Sequence, residues 1–245
     1  SLALSEKVVC VSWLPLYHDM GLIGACLTAV LYRVPLVLLS PLSFLARPDK
    51  WLWAIHRHRG TISTAPNFGY ELCCRKIRDV DMEGLDLSSW RAALNGAEPV
   101  RVETLDAFAE KFAAQGFRRT ALMPVYGMAE CAVALTFPDL GRGPKVDTID
   151  RETFLKAGEA VPISPGSSSS VARFVSVGRA LPLHAVRLVP VEDPCGKDLP
   201  ERMEGRILFR GPSAMAGYFG KTEETAQIRV GEWLDTGDLG YWAQG

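Results

Sequence analysis

The feature that most constrains this chain is an alternation running from Val8 to about Phe137, in which short β-branched or apolar runs are separated by stretches of helical periodicity. Such a pattern points to a parallel sheet, because two parallel neighbours need a crossover long enough to hold a helix. Leu36-Val37-Leu38-Leu39 is a candidate strand. A helix is expected from about Asp49 to His58, behind Pro48 and ahead of Gly60, with Trp51, Leu52 and Ile55 on its buried side. Thr61 to Thr64 returns to extended structure. From Val102 to Ala114, residues Val102, Leu105, Phe108, Ala109 and Phe112 share one face and Gly116 supplies the stop. Ala121-Leu122-Met123 then reads as a strand that delivers Pro124-Val125-Tyr126-Gly127 to the carboxyl edge of the sheet, where α/β folds place their ligands.

The pattern changes near Asp139. Gly-Arg-Gly-Pro at 141–144 and a Pro-Gly-Ser-Ser-Ser-Ser run at 165–170 mark a connector or insertion. Beyond it, Phe174 to Gly178, His184 to Val189 and Arg206 to Arg210 are strand-like and separated by turns. The fold class expected is therefore α/β, a parallel sheet with flanking helices, followed by a small β-rich, barrel-like subdomain. The corresponding divisions are 1–138, a connector over 139–171, and 172–245.

Composition narrows the function classes. The 245 residues can bury a substantial core. With 27 basic and 28 acidic residues the net charge is -1, so no broad attraction to nucleic acid or an anionic membrane is built in. The six cysteines include no Cys-x-x-Cys pair and sit mostly in apolar stretches, which suits a reducing cytosol and burial as small hydrophobes better than zinc or disulfides. The apolar stretch from Gly21 to Leu39 is interrupted by Arg33 and Pro35, too early for a membrane span, and reads as a buried helix followed by a buried strand. No integral membrane segment or signal peptide is expected, and the location expected is cytoplasmic.

Five segments occur in a specific order: Trp13-Leu14-Pro15-Leu16-Tyr17-His18-Asp19-Met20-Gly21, Asn95-Gly96-Ala97-Glu98-Pro99-Val100, Tyr126-Gly127-Met128-Ala129-Glu130, Gly211-Pro212-Ser213 with Gly217-Tyr218, and Thr236-Gly237-Asp238-Leu239-Gly240. With them the chain resembles, over essentially its whole length, the acyl-activating superfamily of acyl-CoA synthetases and peptide-synthetase adenylation domains. His18 through Leu22, Ala65-Pro66-Asn67-Phe68 with Tyr70, Leu85 through Trp90, and Asn95 through Val100 look most like fatty acyl-AMP ligases. In that family, a segment placed like 139–171 carries an insertion that restrains a carboxyl-terminal domain and disfavours coenzyme A.

The resemblance implies that a fatty acid is activated with ATP and Mg2+ to acyl-adenylate and pyrophosphate, then passed to an acyl carrier protein or a polyketide or lipopeptide synthase. It carries over a nucleotide site made of Gly96, Ala97, Glu98, Tyr126, Gly127, Met128, Ala129 and Asp238. The Tyr126 ring would lie against adenine, Gly96-Ala97-Glu98 would border the base, and Asp238 would accept hydrogen bonds from the ribose hydroxyls. Many relatives have threonine where Ala129 stands, so one hydroxyl contact to phosphate is missing. Glu130 is the expected catalytic residue and magnesium ligand, since a hard divalent ion prefers carboxylate oxygen; it would equally suit the first turn of a helix. His18, Asp19 and Phe68 would border the acyl and phosphate path, although Asp19 could simply cap a helix.

The family also has a phosphate loop before the His-Asp segment and a lysine-bearing domain after Thr-Gly-Asp. Neither falls within 1–245, so the isolated chain is expected to bind nucleotide weakly and turn over little. An acyl-CoA ligase core and a non-catalytic, ligase-like binding domain are the alternative readings.

Overall fold

The computed structural model of the protein describes residues 8–163 and 170–243. Residues 165–169 of the Pro-Gly-Ser run lie outside them. The chain divides into two compact units: the first holds the chain up to Ala129 with Val133–Lys145 and Val175–Arg179, and the second holds Glu130–Ala132, Val146–Phe174 and Ala180 onward.

The first unit is built on β1 (Cys10–Ser12), β2 (Leu36–Leu38), β3 (Ile62–Ala65), β4 (Ala92–Asn95) and β5 (Leu122–Pro124). They form one parallel sheet in the order β2-β1-β3-β4-β5, as the alternating pattern predicts. Helices α1 (Thr28–Tyr32), α2 (Pro41–Ala46), α3 (Asp49–His58), α4 (Asn67–Lys76) and α5 (Val102–Lys111) occupy the crossovers. The winding direction reverses between β1 and β3, which opens a crevice at the carboxyl ends of those two strands.

Every residue of β4 is buried, so successive side chains enter opposite layers. Ala93 joins Val11, Trp51, Tyr70, Trp90, Leu105 and Phe108 in the larger core, whereas Ala92 and Leu94 face Val8, Ile62 and Met123. Trp51 is the hub of the larger layer, edge-on to Trp90 at 5.1 Å and to Tyr70 at 5.5 Å. These amphipathic rings are tolerated inside because their polar atoms are satisfied. Trp51 Nε1 donates to Ser63 Oγ at 2.8 Å, Ser63 Oγ to the Val11 carbonyl at 2.5 Å, and Tyr70 Oη to the Leu94 carbonyl at 2.8 Å.

Helix α3 has the predicted bounds, with Trp51, Leu52 and Ile55 fully buried. Its end is made differently from the expectation. Arg59, not Gly60, takes the left-handed conformation (φ 53°), and the Gly60 amide donates to the Ile55 carbonyl at 2.8 Å. Gly60 is needed for room, since a Cβ there would stand 2.7 Å from Val11 Cγ2. Helix α5 stops at Lys111, three residues early, and turns carry the chain to Gly116 at φ 79°.

The expectation of a buried helix over the apolar stretch from Gly21 requires correction. A π-helix, Met20–Leu27, runs on into α1, but Val30 and Leu31 are 71% and 76% exposed. An unbroken apolar run has no periodicity with which to mark a face. The following strand, β2, lies at the sheet edge and leaves Leu38 half exposed.

Within 136–180 fall β6 (Thr136–Phe137), β7 (Val146–Asp150), α6 (Arg151–Ala157), β8 (Val171–Val175) and β9 (Arg179–Ala180). The strand expected over Phe174 to Gly178 thus lies three residues earlier, as β8. The main sheet of the second unit comprises β10 (Ala185–Val189), β11 (Gly205–Arg210), β12 (Arg229–Val230) and β13 (Trp233–Gly240), with α7 (Thr222–Ile228) leading into β12. It is antiparallel, ordered β10-β11-β13-β12 and curled like half a barrel. In the same unit, Phe154, Phe174 and Tyr241 form an aromatic trio. The Tyr241 hydroxyl donates to Asp147 Oδ2 at 2.9 Å, and Arg202 also reaches that oxygen.

Candidate functional site

In the first unit the chain leaves β1, β3, β4 and β5 at the same edge of the sheet, and a cleft of about 90 Å3 opens there. Asp19 from the segment after β1, Thr64 from the end of β3, Ala97 after β4 and Gly127 after β5 each contribute to its wall. Met20, Leu94, Val125, Val133 and Phe137 make most of the remaining surface apolar. A crevice of this polarity suits an apolar group that ends in a charged or polar head.

Asp19 caps the π-helix by accepting from the Met20 amide at 2.7 Å, and its carboxylate also lies 2.7 Å from His18 Nδ1. Capping and a place in the cleft wall therefore coexist in one residue. Phe68 is 43% exposed and meets Trp13 edge-on at 5.8 Å. Its amide donates to Glu98 Oε1 at 2.6 Å, which ties the loop after β4 to the start of α4. Asn67 extends that tie, because its Oδ1 accepts from the Arg101 amide at 3.1 Å and its Nδ2 donates to Thr104 Oγ1 at 3.1 Å.

Gly96 and Gly127 are fixed by the protein's own backbone. A Cβ on Gly96 would stand 2.8 Å from the Val125 carbonyl oxygen, and one on Gly127 would stand 2.2 Å from that of Val133. The loop from Tyr126 to Thr136 closes on itself, with the Tyr126 amide donating to Thr136 and the Thr136 amide donating back at 2.9 Å. Ala129–Cys131 forms a 3-10 turn inside it, and Met128 accepts from the Val133 amide at 2.9 Å. Ala132 and Val133 both take left-handed conformations (φ 53° and 76°), a costly choice for a β-branched residue that the tight closure imposes.

Glu130 belongs to the second unit. Its carbonyl accepts from the Met215 amide at 2.8 Å, and its Oε1 accepts from the Tyr218 hydroxyl at 2.7 Å. That hydrogen bond, with some burial, holds the Tyr218 phenol above its ordinary pKa and keeps it a neutral donor. Among the described residues, no group of three or more His, Cys, Asp or Glu side chains converges as a metal cage. A cation at Glu130 would accordingly take its other ligands from phosphate oxygens and water, the usual arrangement for Mg2+.

Asp238 lies in an irregular part of β13. Arg206 pairs with Leu239 and Leu208 with Asp235, so two steps on β11 match four on β13 and the Thr236-Gly237-Asp238 segment bulges. Gly237 supplies the left-handed residue (φ 78°), Thr236 Oγ1 accepts from the Asp238 amide at 3.0 Å, and Asp238 is exposed.

The sequence model of the AMP-binding enzyme family matches residues 2–219. The chain belongs to that family. A putative acyl-CoA synthetase of Caulobacter vibrioides is 42% identical over 236 residues, covering 96% of this chain and 41% of that protein. The medium-chain fatty acid:acyl-carrier-protein ligase JamA of Moorena producens is 36% identical over 245 residues, covering 97% and 41%. A solved structure from work on fatty acyl-adenylate ligases of E. coli and L. pneumophila superposes with a TM-score of 0.92 at 43% identity, over all of this chain and 43% of that one. The L. pneumophila enzyme in complex with acyl adenylate and pyrophosphate gives 0.92 at 34% identity, with the same coverage. The chain thus spans about two fifths of the length of these AMP-binding relatives.

Of the site residues expected from the sequence, Asp19, Ala97 and Gly127 line the cleft, whereas His18, Phe68, Gly96, Glu98, Tyr126, Met128 and Ala129 do not; Thr64, Val133 and Ala134, not singled out from the sequence, line it as well. Thr64 carries a usable signal as the last polar residue of a strand next to the reversal in strand order. Val133 carries none, since nothing in Cys-Ala-Val-Ala announces a left-handed valine. Among the described residues, no helix is long and apolar enough to cross a membrane.

Proposed function

We propose that the complete protein joins a fatty acid to AMP, releasing pyrophosphate, and hands the activated acyl group to an acyl carrier protein or synthase. The observation that carries this reading is the apolar cleft at the carboxyl edge of the parallel sheet, walled by loops that also hold the expected nucleotide residues. Family membership and the names of JamA and the fatty acyl-adenylate ligases support it.

In the reaction a carboxylate oxygen attacks the α-phosphorus of ATP; a new P–O bond forms and the bond to pyrophosphate breaks. Both reactants are anions, so the protein's task is alignment and charge neutralisation. The loop from Tyr126 to Thr136 presents the Tyr126 ring to adenine, with Ala97 beside the base. In the second unit Asp238 stands exposed on its bulge, and its match to the family motif assigns it to the ribose hydroxyls. Glu130 offers a carboxylate already held at one oxygen. Glu130 would hold magnesium there, and the ion would supply neutralisation of phosphate charge. Met20, Leu94, Val125 and Val133 keep water from the start of the acyl chain.

Fatty-acid-dependent exchange of pyrophosphate into ATP by the full-length protein tests this reading. Exchange that does not depend on a fatty acid, or that is unchanged in Glu130→Ala, would refute it. The name of the Caulobacter relative favours a second reading, a coenzyme A ligase. Efficient acyl-CoA formation would select that reading, whereas accumulation of acyl-adenylate with coenzyme A present would reject it.

A further inference from the structure

We propose that Tyr218 is a positioning residue for Glu130, a role that rests on the reading of Glu130 as the magnesium ligand. The two residues are 88 positions apart, yet the Tyr218 hydroxyl donates to Glu130 Oε1 at 2.7 Å. Among the described residues it is the only hydrogen-bonding partner recorded for the Glu130 carboxylate, so Oε2 remains for a cation. A glutamate has three side-chain torsions, and an untethered one presents its oxygens over a wide arc. The phenol removes that freedom.

The support is itself firmly held. The Tyr218 amide donates to Thr225 Oγ1 at 2.9 Å, its carbonyl accepts from the Lys221 amide at 3.0 Å, and Gly217 packs against the Thr225 side chain. Three residues upstream, the Met215 amide holds the Glu130 carbonyl. The segment 215–218 therefore grips Glu130 by backbone and side chain at once. Hydrogen-bond partners of this kind orient metal ligands and set affinity without touching the metal.

The test uses the full-length protein, with Mn2+ in place of Mg2+ and α,β-methylene-ATP, which cannot release pyrophosphate. Electron paramagnetic resonance counts free Mn2+ in wild type, Tyr218→Phe and Glu130→Ala. The expectation for Tyr218→Phe is Mn2+–nucleotide binding weakened about 10-fold. In the exchange assay the Mg2+ half-saturation point should rise by a similar factor, with the rate at saturating Mg2+ largely retained. Unchanged Mn2+ affinity in Tyr218→Phe, alongside weakened affinity in Glu130→Ala, would overturn the role of Tyr218 and leave the Glu130 reading standing. A lower melting temperature and a lower rate at every Mg2+ concentration, with no shift in half-saturation, would reduce Tyr218 to a packing residue. Mn2+ affinity unchanged in Glu130→Ala would remove the metal reading, and the positioning role with it.

Discussion

Gly127→Ala should nearly abolish adenylation while leaving the protein folded. The added Cβ would stand 2.2 Å from the Val133 carbonyl oxygen, against 3.4 Å for an ordinary contact, so one backbone must move by about 1.2 Å. Val133 cannot yield easily, since it already holds a left-handed conformation and its amide is tied to Met128. Gly127 itself is not in the left-handed region, so the penalty is steric rather than torsional. Overpacking of this kind costs about 1–3 kcal/mol of stability. A displacement of about 1 Å at a positioning loop can cost about 100-fold in rate. Gly141→Ala is the control, because Gly141 has φ 80° with nothing within 4 Å of its virtual Cβ. It incurs only the left-handed penalty of about 1–2 kcal/mol. With the full-length protein, both variants should lower the melting temperature comparably, and only Gly127→Ala should lose pyrophosphate exchange. Exchange within about twofold of wild type in Gly127→Ala, or an equal loss in Gly141→Ala, would refute the steric argument.

Ser63→Ala should destabilise the first unit by about 1–3 kcal/mol, because it strands the buried Trp51 Nε1–H without an acceptor. Adding Trp51→Phe removes the stranded donor, so denaturant titration of the double-mutant cycle should show clear non-additivity; simple additivity would contradict the pairing. Hydrogen bonds from Ser88, aided by Arg59, hold the Asp86 carboxyl down to about 2. Their stabilisation is present above the unfolded carboxylate value near 4 and is lost as pH falls toward 2, so Asp86→Asn should flatten the stability profile across that window. Burial pushes the Cys10 and Cys74 thiols up to about 11, whereas Cys195 is exposed. Alkylation at pH 8 followed by peptide mapping should mark Cys195 first, and equal labelling of Cys10 would count against the described core.

Much of the fold was legible because local and tertiary preferences agree. In α3 and α5 the apolar residues fall on one face, so pattern and burial describe the same surface. The stretch from Gly21 to Leu39 failed because uniform hydrophobicity states that a segment is apolar without stating what covers it. Gly60 misled in a subtler way. A glycine near a helix end satisfies the stop rule, yet this one answers to Val11 on β1, a contact that no window around the helix contains. The partnership of Glu130 with Tyr218 lay beyond reach for the same reason, although both residues stood in recognised segments.

The two motif glycines show why such segments can be recognised at all. Gly96 and Gly127 look like openings for a ligand, but in each case the space is filled by another carbonyl of the same unit, Val125 or Val133. Glu98 looks like a nucleotide contact, and its carboxylate is engaged with the Phe68 amide. The loops after β3, β4 and β5 lock to one another through these residues, so substitution at Gly96, Glu98 or Gly127 disturbs its neighbours. The strings therefore encode the framework more directly than the chemistry. On the proposed function, the groups left for chemistry are fewer: the Tyr126 ring in the first unit, and one carboxylate oxygen of Glu130 and the exposed Asp238 in the second. On this account, conservative changes at the framework positions should harm catalysis through position, raising no new charge and removing no reacting group. A variant that restores the loop should then restore the rate: in Gly127→Ala, a second change Val133→Gly keeps the carbonyl and the amide bond to Met128 but frees the backbone torsions, so the carbonyl can turn away from the added Cβ. Because Val133 also lines the cleft, the reference is Val133→Gly alone: exchange in the double variant equal to that of Val133→Gly would separate framework from chemistry, and exchange far below it, in a protein that melts normally, would refute the steric account of Gly127.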